Sequence, residues 1–205
     1  MMKKIGIMGG TFNPIHNGHL KMALEAYKQF QLDEVWFMPT KNPPHKAEKE
    51  IISDDHRVKM IELAIKKIPF FYLSKIELER EGTTYTVDTL CQLEKDYPND
   101  YFYFILGADS LFHIHTWKSP EKVMKLAHIL SAPRYPMTQE EEIERKDMLS
   151  EQYHADIQLI SMEPIRISSM NIRKRIFNKQ PINEYLPKEV EQYVKKYHLY
   201  QERSD

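Results

Sequence analysis

The stretch that most constrains this chain lies near its N-terminus and reads Gly-Gly-Thr-Phe-Asn-Pro-Ile-His-Asn-Gly-His over residues 9–19. The short apolar run before it, from Ile5 to Met8, predicts a buried strand, and the pattern from Leu20 to Phe30 predicts a helix. Glycines at such a strand-to-helix turn let backbone N–H groups come close to a ligand, and a helix N-terminus favours an anion. The string therefore predicts a turn that holds phosphate.

Two histidines of this string, His16 and His19, are one helical turn apart and share a face. Each can donate a hydrogen bond to a phosphate oxygen, more strongly if charged, and Gly18 between them leaves room for the ligand. The alternative for a bare pair is a structural turn with one buried and one exposed histidine. A zinc site is disfavoured because neither a His-Glu-x-x-His motif nor a cysteine cluster accompanies the pair. The string matches neither a Walker A loop nor a dinucleotide-binding fingerprint.

A second string, Ile-Ser-Ser-Met-Asn-Ile-Arg over residues 167–173, predicts the start of a helix. Serine hydroxyls and free N–H groups at a helix start form another seat for an anion. Arg173 lies about one turn inside, and its guanidinium matches phosphate oxygens. The alternative is an ordinary capped helix with a basic surface at residues 173–175.

Short apolar runs alternate with helical patterns along the whole chain, which is typical of a parallel sheet covered on both faces. We therefore expect an α/β fold with a doubly wound, mostly parallel sheet of five to six strands. We also expect a single domain over residues 1–205, with a C-terminal helical part from about residue 168 packed on it. The predicted strands cover residues 5–8, 34–38, 70–78, 101–106, 128–132 and 157–162.

Four polar segments follow predicted strands, so they can converge on the carboxyl edge of the sheet, where such folds bind ligands. They are the opening string, the Pro43-Pro44 loop, Gly107-Ala108-Asp109 and Ser168-Ser169.

The composition excludes several classes of protein. The 205 residues carry a formal charge of −1, so no overall basic field attracts a nucleic acid. No apolar run approaches the ~18 residues of a membrane span. The apolar segment after Lys3-Lys4 is too short for a signal peptide. A single cysteine, Cys91, fits a reducing compartment, so we expect a cytoplasmic protein.

The string over residues 9–19 resembles the signature of the nucleotidyltransferase superfamily that shares a His-x-Gly-His motif. Ser-Ser-x-x-Ile-Arg resembles its second signature, and the order, spacing and length resemble the bacterial nicotinate-nucleotide adenylyltransferases. The resemblance covers nearly the whole chain and continues through Pro43–Lys46, Tyr85–Leu90, Gly107–Asp109 and Trp117. The chain departs from the family pattern at three positions, where Asn13 replaces an aspartate, Met170 a threonine, and Lys118 an aromatic residue or histidine.

The resemblance implies a Rossmann-like fold and transfer of AMP from ATP to nicotinate mononucleotide, with Mg²⁺ arriving on ATP and no protein metal site. It implies that His16, His19 and Arg173 act on the phosphates, with Ser168 and Ser169 beside the departing pyrophosphate. The other residues implied on the ATP side are Gly9, Gly10, Thr11, Phe12, Gly18, Gly107, Asp109 and Ile172. Those implied on the mononucleotide side are Lys46, Tyr85, Thr86 and Trp117.

Several of these residues could instead have a purely structural or solvent-exposed role. Trp117 can be a core residue, Thr86 a helix cap and Lys46 a solvated lysine. The acidic run Glu140–Glu142 is expected to form a solvated helix face.

Three other functions are compatible with parts of the pattern. A related transferase could move AMP to phosphopantetheine, or CMP to a sugar or polyol phosphate, although the segment Tyr85–Leu90 and Trp117 speak against it. A non-catalytic nucleotide-binding regulator is disfavoured because both phosphate strings are intact. A class I aminoacyl-tRNA synthetase core is disfavoured by the length and by the lack of a Lys-Met-Ser-Lys-Ser string. The preference for the acid over the amide mononucleotide rests on the resemblance alone, and a homodimer stays open.

Overall fold

A computed structural model of the chain describes residues 2–41 and 51–201. Its strands are β1 (Lys4–Gly10), β2 (Glu34–Pro39), β3 (Phe71–Leu73), β4 (Tyr101–Gly107), β5 (His128–Ala132) and β6 (Ile157–Leu159). Its helices are α1 (Asn17–Gln29), α2 (Asp54–Ile65), α3 (Thr86–Asp96), α4 (Ala108–His113), α5 (Pro120–Leu126), α6 (Gln139–Tyr153), α7 (Ser169–Phe177) and α8 (Lys188–Lys196), with a 3-10 turn at Ile114–Thr116.

The six strands form one sheet in the order β3-β2-β1-β4-β5-β6, and every neighbouring pair is parallel. The expected doubly wound α/β fold is thus confirmed. The strand order reverses between β1 and β4, and the crevice beyond their carboxyl ends is where such sheets bind ligands.

Helices cover both faces of the sheet, and each face has its own apolar core. Helices α1, α2, α7 and α8 pack on one face through residues such as Ala23, Ile61 and Val190. Helices α3 to α6 pack on the other through residues such as Leu90, Val123 and Leu149. Within the described residues, no helix is long and apolar enough to cross a membrane.

Three predictions differ from the observed structure. The strand predicted over residues 157–162 ends at Leu159. The predicted strand over residues 70–78 is correct only for Phe71–Leu73, because β3 is an edge strand and the chain turns away from it after Ser74 donates to the carbonyl of Phe37 at 2.9 Å. Glu142 contradicts the solvated acidic face, since it is only 2% exposed. Its carboxylate accepts the backbone N–H of Arg134 at 3.2 Å, and burial raises its pKa.

Candidate functional site

A cavity of about 920 Å³ opens at the carboxyl ends of β1 and β4, where the strand order reverses. It brings together ten of the residues expected from the sequence: Gly9, Gly10, His16, Gly18, His19, Tyr85, Thr86, Gly107, Asp109 and Trp117. Residues from both faces of the sheet meet in this one cavity, as expected for segments that follow parallel strands. Lys46 and the Pro43-Pro44 loop lie outside the described residues.

The opening string begins inside the sheet and not in the turn. Gly9 and Gly10 are the last residues of β1, paired in register with Met38 and Pro39 of β2. The turn itself starts at Thr11, and Phe12 adopts a left-handed conformation with φ 47°. This conformation is strained for a large side chain, so the surrounding structure must stabilise it. Phe12 is 1% exposed and packs edge-on against the His19 ring, so its side chain helps to hold the orientation of that ring.

The two histidines cap helix α1 reciprocally. The backbone N–H of His19 donates to Nδ1 of His16 at 3.4 Å, and the backbone N–H of His16 donates to Nδ1 of His19 at 3.2 Å. The two rings stack with their centroids 3.6 Å apart. Since each Nδ1 accepts a hydrogen bond, each ring carries its proton on Nε2, which is therefore a donor.

His16 is a neutral donor. The ring is 5% exposed, and burial together with the charge of Arg134 lowers the pKa of His16 to about 3. The stronger hydrogen bond of a charged imidazole is therefore not available at His16, because desolvation favours the uncharged ring. Gly18 provides the space for this ring, since a Cβ at that position would lie 3.0 Å from Nδ1 of His16 and from Cγ2 of Ile165.

The second string binds the first string directly. The guanidinium of Arg173 donates to the carbonyl of Asn13 at 2.8 Å, and the hydroxyl of Ser169 donates to the carbonyl of Pro14 at 2.8 Å. Ser168 caps α7 by accepting the N–H of Asn171 at 3.2 Å. The two strings thus converge as expected, and the bonds between them fix the histidine turn. Arg173 keeps further N–H groups, because a guanidinium carries five.

Six expected residues do not line the cavity: Thr11, Phe12, Ser168, Ser169, Ile172 and Arg173. The side chains of Phe12 and Ile172 are each 1% exposed and belong to the core. Only their backbone is available to a nucleotide. Met170, at one of the departures from the family pattern, is exposed and so does not disturb the packing of α7.

Two further side chains, which were not predicted from the sequence, form hydrogen bonds that hold the turn at residues 11–14. Arg57 of α2 is fully buried, pairs with Asp54, and donates to the carbonyl of Thr11 at 2.7 Å. The hydroxyl of Tyr200 donates to Oδ1 of Asn13 at 2.9 Å. Buried carbonyl and amide oxygens need such donors, because an unsatisfied polar group costs stability. The turn is therefore bound from α2, α7 and the segment after α8.

The adenosine side expected at Gly107 and Asp109 contains an unexpected cation. Nε of Arg134 lies 2.8 Å from Oδ2 of Asp109, and Arg134 lines the cavity beside Ile165 and Ile167. Arg134 could have been found from the sequence, because it follows β5 at the same edge of the sheet. Its backbone is held by buried Glu142.

Tyr85 and Trp117 give the cavity an aromatic side. Trp117 is partly buried, packs edge-on against Phe104 at 6.0 Å, and also lines the cavity, while its stacking on a pyridine ring stays a prediction. Tyr85 occupies the N-cap position of α3 and Thr86 is the first helical residue, so the expectation that Thr86 caps this helix is wrong. The side chain of Tyr85 makes no capping hydrogen bond to α3.

A buried carboxyl, Glu77, lies at the wall of the aromatic side. It accepts the hydroxyl of Thr89 at 2.9 Å, and burial raises its pKa. The sequence did not reveal it, because the segment was read as strand. Among the described residues, no group of three or more His, Cys, Asp or Glu side chains could hold a metal ion.

The chain matches known proteins in a family model, in amino-acid sequence and in three-dimensional structure. A family model described as cytidylyltransferase-like matches residues 7–175. The chain is 45% identical over 199 residues to a probable nicotinate-nucleotide adenylyltransferase of Lachnoclostridium phytofermentans, covering 97% of this chain and 100% of that protein. It is 41% identical to a protein of the same description from Bacillus pumilus, covering 98% and 100%.

A solved structure shares the fold. Nicotinic acid mononucleotide adenylyltransferase of Plasmodium falciparum, complexed with NaAD, superposes with a TM-score of 0.80 at 24% identity, covering 99% of this chain and 100% of that one.

Proposed function

The chain belongs to the family of nicotinate-nucleotide adenylyltransferases, and from this premise we propose that it transfers AMP from ATP to nicotinate mononucleotide in NAD biosynthesis. The products are deamido-NAD and pyrophosphate. The observation that carries the proposal is that one cavity brings together two histidine donors, the aromatic side chains of Tyr85 and Trp117, and the ion pair of Asp109 with Arg134. Two nucleotides that meet at their phosphates require such an arrangement.

The chemistry needs no general base. A phosphate oxygen of the mononucleotide, already anionic, forms a bond to the α-phosphorus of ATP. The bond from that phosphorus to the bridging oxygen of the β-phosphate breaks, and pyrophosphate leaves with the electron pair. Catalysis then depends on positioning and on compensating the charge that develops on the phosphate oxygens. Both histidines suit this role as Nε2–H donors, because a neutral ring whose Nδ1 is occupied cannot accept the proton of a nucleophile at Nε2.

The residue roles of the proposal follow the two sides of the cavity. His16 and His19 donate to the phosphates, and Arg134 adds positive charge from the adenosine side. Gly107 and Asp109 receive the adenosine, Trp117 stacks on the pyridine ring, and Tyr85 and Thr86 border it. The backbone of residues 9–12 and the start of α7, with Ser168, Ser169, Ile172 and Arg173, approach the triphosphate. Mg²⁺ enters on ATP, and Lys46 reaches the phosphate of the mononucleotide.

The proposal includes a cytoplasmic location, which the single free cysteine, Cys91, fits. Both substrates are small molecules, and no nucleic acid takes part. The homodimer stays a prediction.

A second candidate reaction is transfer of CMP, because the matching family model is described as cytidylyltransferase-like. The test is therefore a panel of ATP and CTP, each with nicotinate mononucleotide, nicotinamide mononucleotide and phosphopantetheine, in the presence of Mg²⁺. We expect the highest kcat/KM with ATP and nicotinate mononucleotide. Turnover of phosphopantetheine, or of CTP, without turnover of that pair contradicts the proposal.

The same assay examines the histidine role with two variants. His19→Asn should lower kcat by about 10²–10³, the usual effect of removing one preorganised donor. The matched control is His198→Asn, because His198 is exposed and is not among the residues that line the cavity. Near-normal turnover by His19→Asn would contradict the phosphate-donor role.

A further inference from the structure

Lys118 lines the aromatic side of the cavity, at a position where the family pattern has an aromatic residue or a histidine. We propose that the ammonium group of Lys118 makes the site select an acceptor whose pyridine ring carries a carboxylate over one that carries a neutral carboxamide. The inference rests on the proposed function and names the substrate selectivity of that same site.

The backbone around Lys118 directs it towards α3. Trp117 ends the 3-10 turn in an extended conformation, and Ser119 then adopts the left-handed region with φ 49° before α5 begins. Nζ of Lys118 lies 4.4 Å from the centroid of the Tyr85 ring and 3.1 Å from Oδ2 of Asp88. The ammonium group is thus held between the aromatic side of the cavity and the first turn of α3.

In the ion pair between Lys118 and Asp88, the positively charged Lys118 is the member that faces the cavity. Lys118 lines the cavity, whereas Asp88 is not among the lining residues. Both side chains are partly exposed, so the attraction between them is weak and its partner can change. A carboxylate bound beside Tyr85 meets the ammonium group first.

Other polar features of this side also favour a negative group. The N-cap residue of α3, Tyr85, makes no side-chain capping hydrogen bond, so the first N–H groups of this eleven-residue helix are available to a ligand, and Asp88 in the first turn compensates only part of their positive potential. Thr84 lines the cavity, is 3% exposed, and its hydroxyl has no hydrogen-bond partner among the described residues. The hydroxyl can donate to a ligand oxygen.

The remaining charged groups of the lining do not cancel this preference. Arg134 is paired with Asp109. Glu77 also lines the cavity, but burial raises the pKa of its carboxyl and so favours the neutral form. The proposed function assigns the phosphate of the acceptor to the histidines and Lys46, which leaves the ring substituent as the anionic group beside Lys118.

The test is the selectivity ratio, defined as kcat/KM for nicotinate mononucleotide divided by kcat/KM for nicotinamide mononucleotide, measured with Mg–ATP. Lys118→Met should lower this ratio roughly fivefold to tenfold, the effect of one partly exposed charge at contact distance. Lys118→Arg keeps the charge and should keep the ratio. Lys122→Met is the matched control, because Lys122 is exposed on α5 outside the cavity lining.

A variant at Asp88 separates charge from structure. Lys118→Met and Asp88→Asn break the same ion pair, so a purely structural role predicts that both change the ratio in the same direction. Selection by charge predicts opposite directions, since Asp88→Asn frees the ammonium group and removes a negative charge. Raising the salt concentration should lower the ratio of the unmodified protein and leave that of Lys118→Met unchanged.

Two results overturn the inference while the proposed function stands. One is an unchanged ratio in Lys118→Met, and the other is a lower ratio in Asp88→Asn. If the unmodified protein turns over neither mononucleotide, the proposed function itself fails.

Discussion

Because the structure keeps His16 uncharged, this residue should make stability depend on pH. In the unfolded chain an imidazole takes up a proton below pH 6.5, whereas in the folded protein the pKa of His16 is about 3. Between these values the unfolded state binds more protons, so acidification favours it. The stabilisation is fully present above pH 6.5 and is lost progressively as the pH falls towards 3.

The size of the effect follows from the pKa difference. One unit corresponds to about 1.4 kcal/mol, so a difference of roughly 3.5 units amounts to about 5 kcal/mol over the whole window. At about pH 5, His16 lies roughly 1.5 units below its unfolded pKa, and about 2 kcal/mol should already be lost. Burial of the ring, which is 5% exposed, means that solvent screens little of this energy.

The assay compares the unmodified protein with His16→Asn in urea denaturation at about pH 8 and about pH 5. Asparagine is a good N-cap residue and does not titrate, so the variant retains a cap and lacks the proton linkage. Other titrating groups cancel when the two pH differences are subtracted. We expect the unmodified protein to lose about 2 kcal/mol more than the variant. A difference below about 0.5 kcal/mol would show that His16 is not kept neutral by the fold.

Two further predictions concern hydrogen bonds that fix the site. Tyr200→Phe removes the hydroxyl that donates to Oδ1 of Asn13. We expect a loss of about 1–2 kcal/mol in the free energy of unfolding, and a lower kcat with little change in KM. An unchanged kcat would show that the histidine turn does not need this bond. Glu142→Gln keeps an acceptor for the backbone N–H of Arg134 and removes a carboxyl whose pKa is raised in the folded state. The stability of the variant relative to the unmodified protein should therefore increase as the pH rises above about 4.5, as measured by thermal denaturation. A decrease would show that the charged form of Glu142 is needed.

The fold and the main segments of the site were predictable because they depend on local patterns. Each short apolar run is a strand, and glycine, histidine and serine occur where a strand passes into a helix. Residues such as His16 and Asp109 were found because they follow strands whose carboxyl ends meet at one edge.

What could not be predicted is how side chains far apart in the sequence pair with each other. Arg57 contacts a residue 46 positions away and Arg173 one 160 positions away, and no local pattern encodes such partners. Helix α6 could not be predicted in detail for the same reason, since it buries the charged Glu142 and exposes the apolar Ile143. The hydrogen bond from a backbone N–H in the loop after β5 to the Glu142 carboxylate decides which side chain is buried, and the hydropathy of the two residues does not.

The bond between Tyr200 and Asn13 also sets an order of events during synthesis. The two residues are 187 positions apart, so the ribosome makes Asn13 roughly 10–40 s before Tyr200 at ordinary rates of translation. Throughout that time the histidine turn exists without its hydroxyl donor, and for most of it without the serine and arginine of α7 as well. The growing chain therefore holds an unfinished nucleotide site, and its last-made helices complete it.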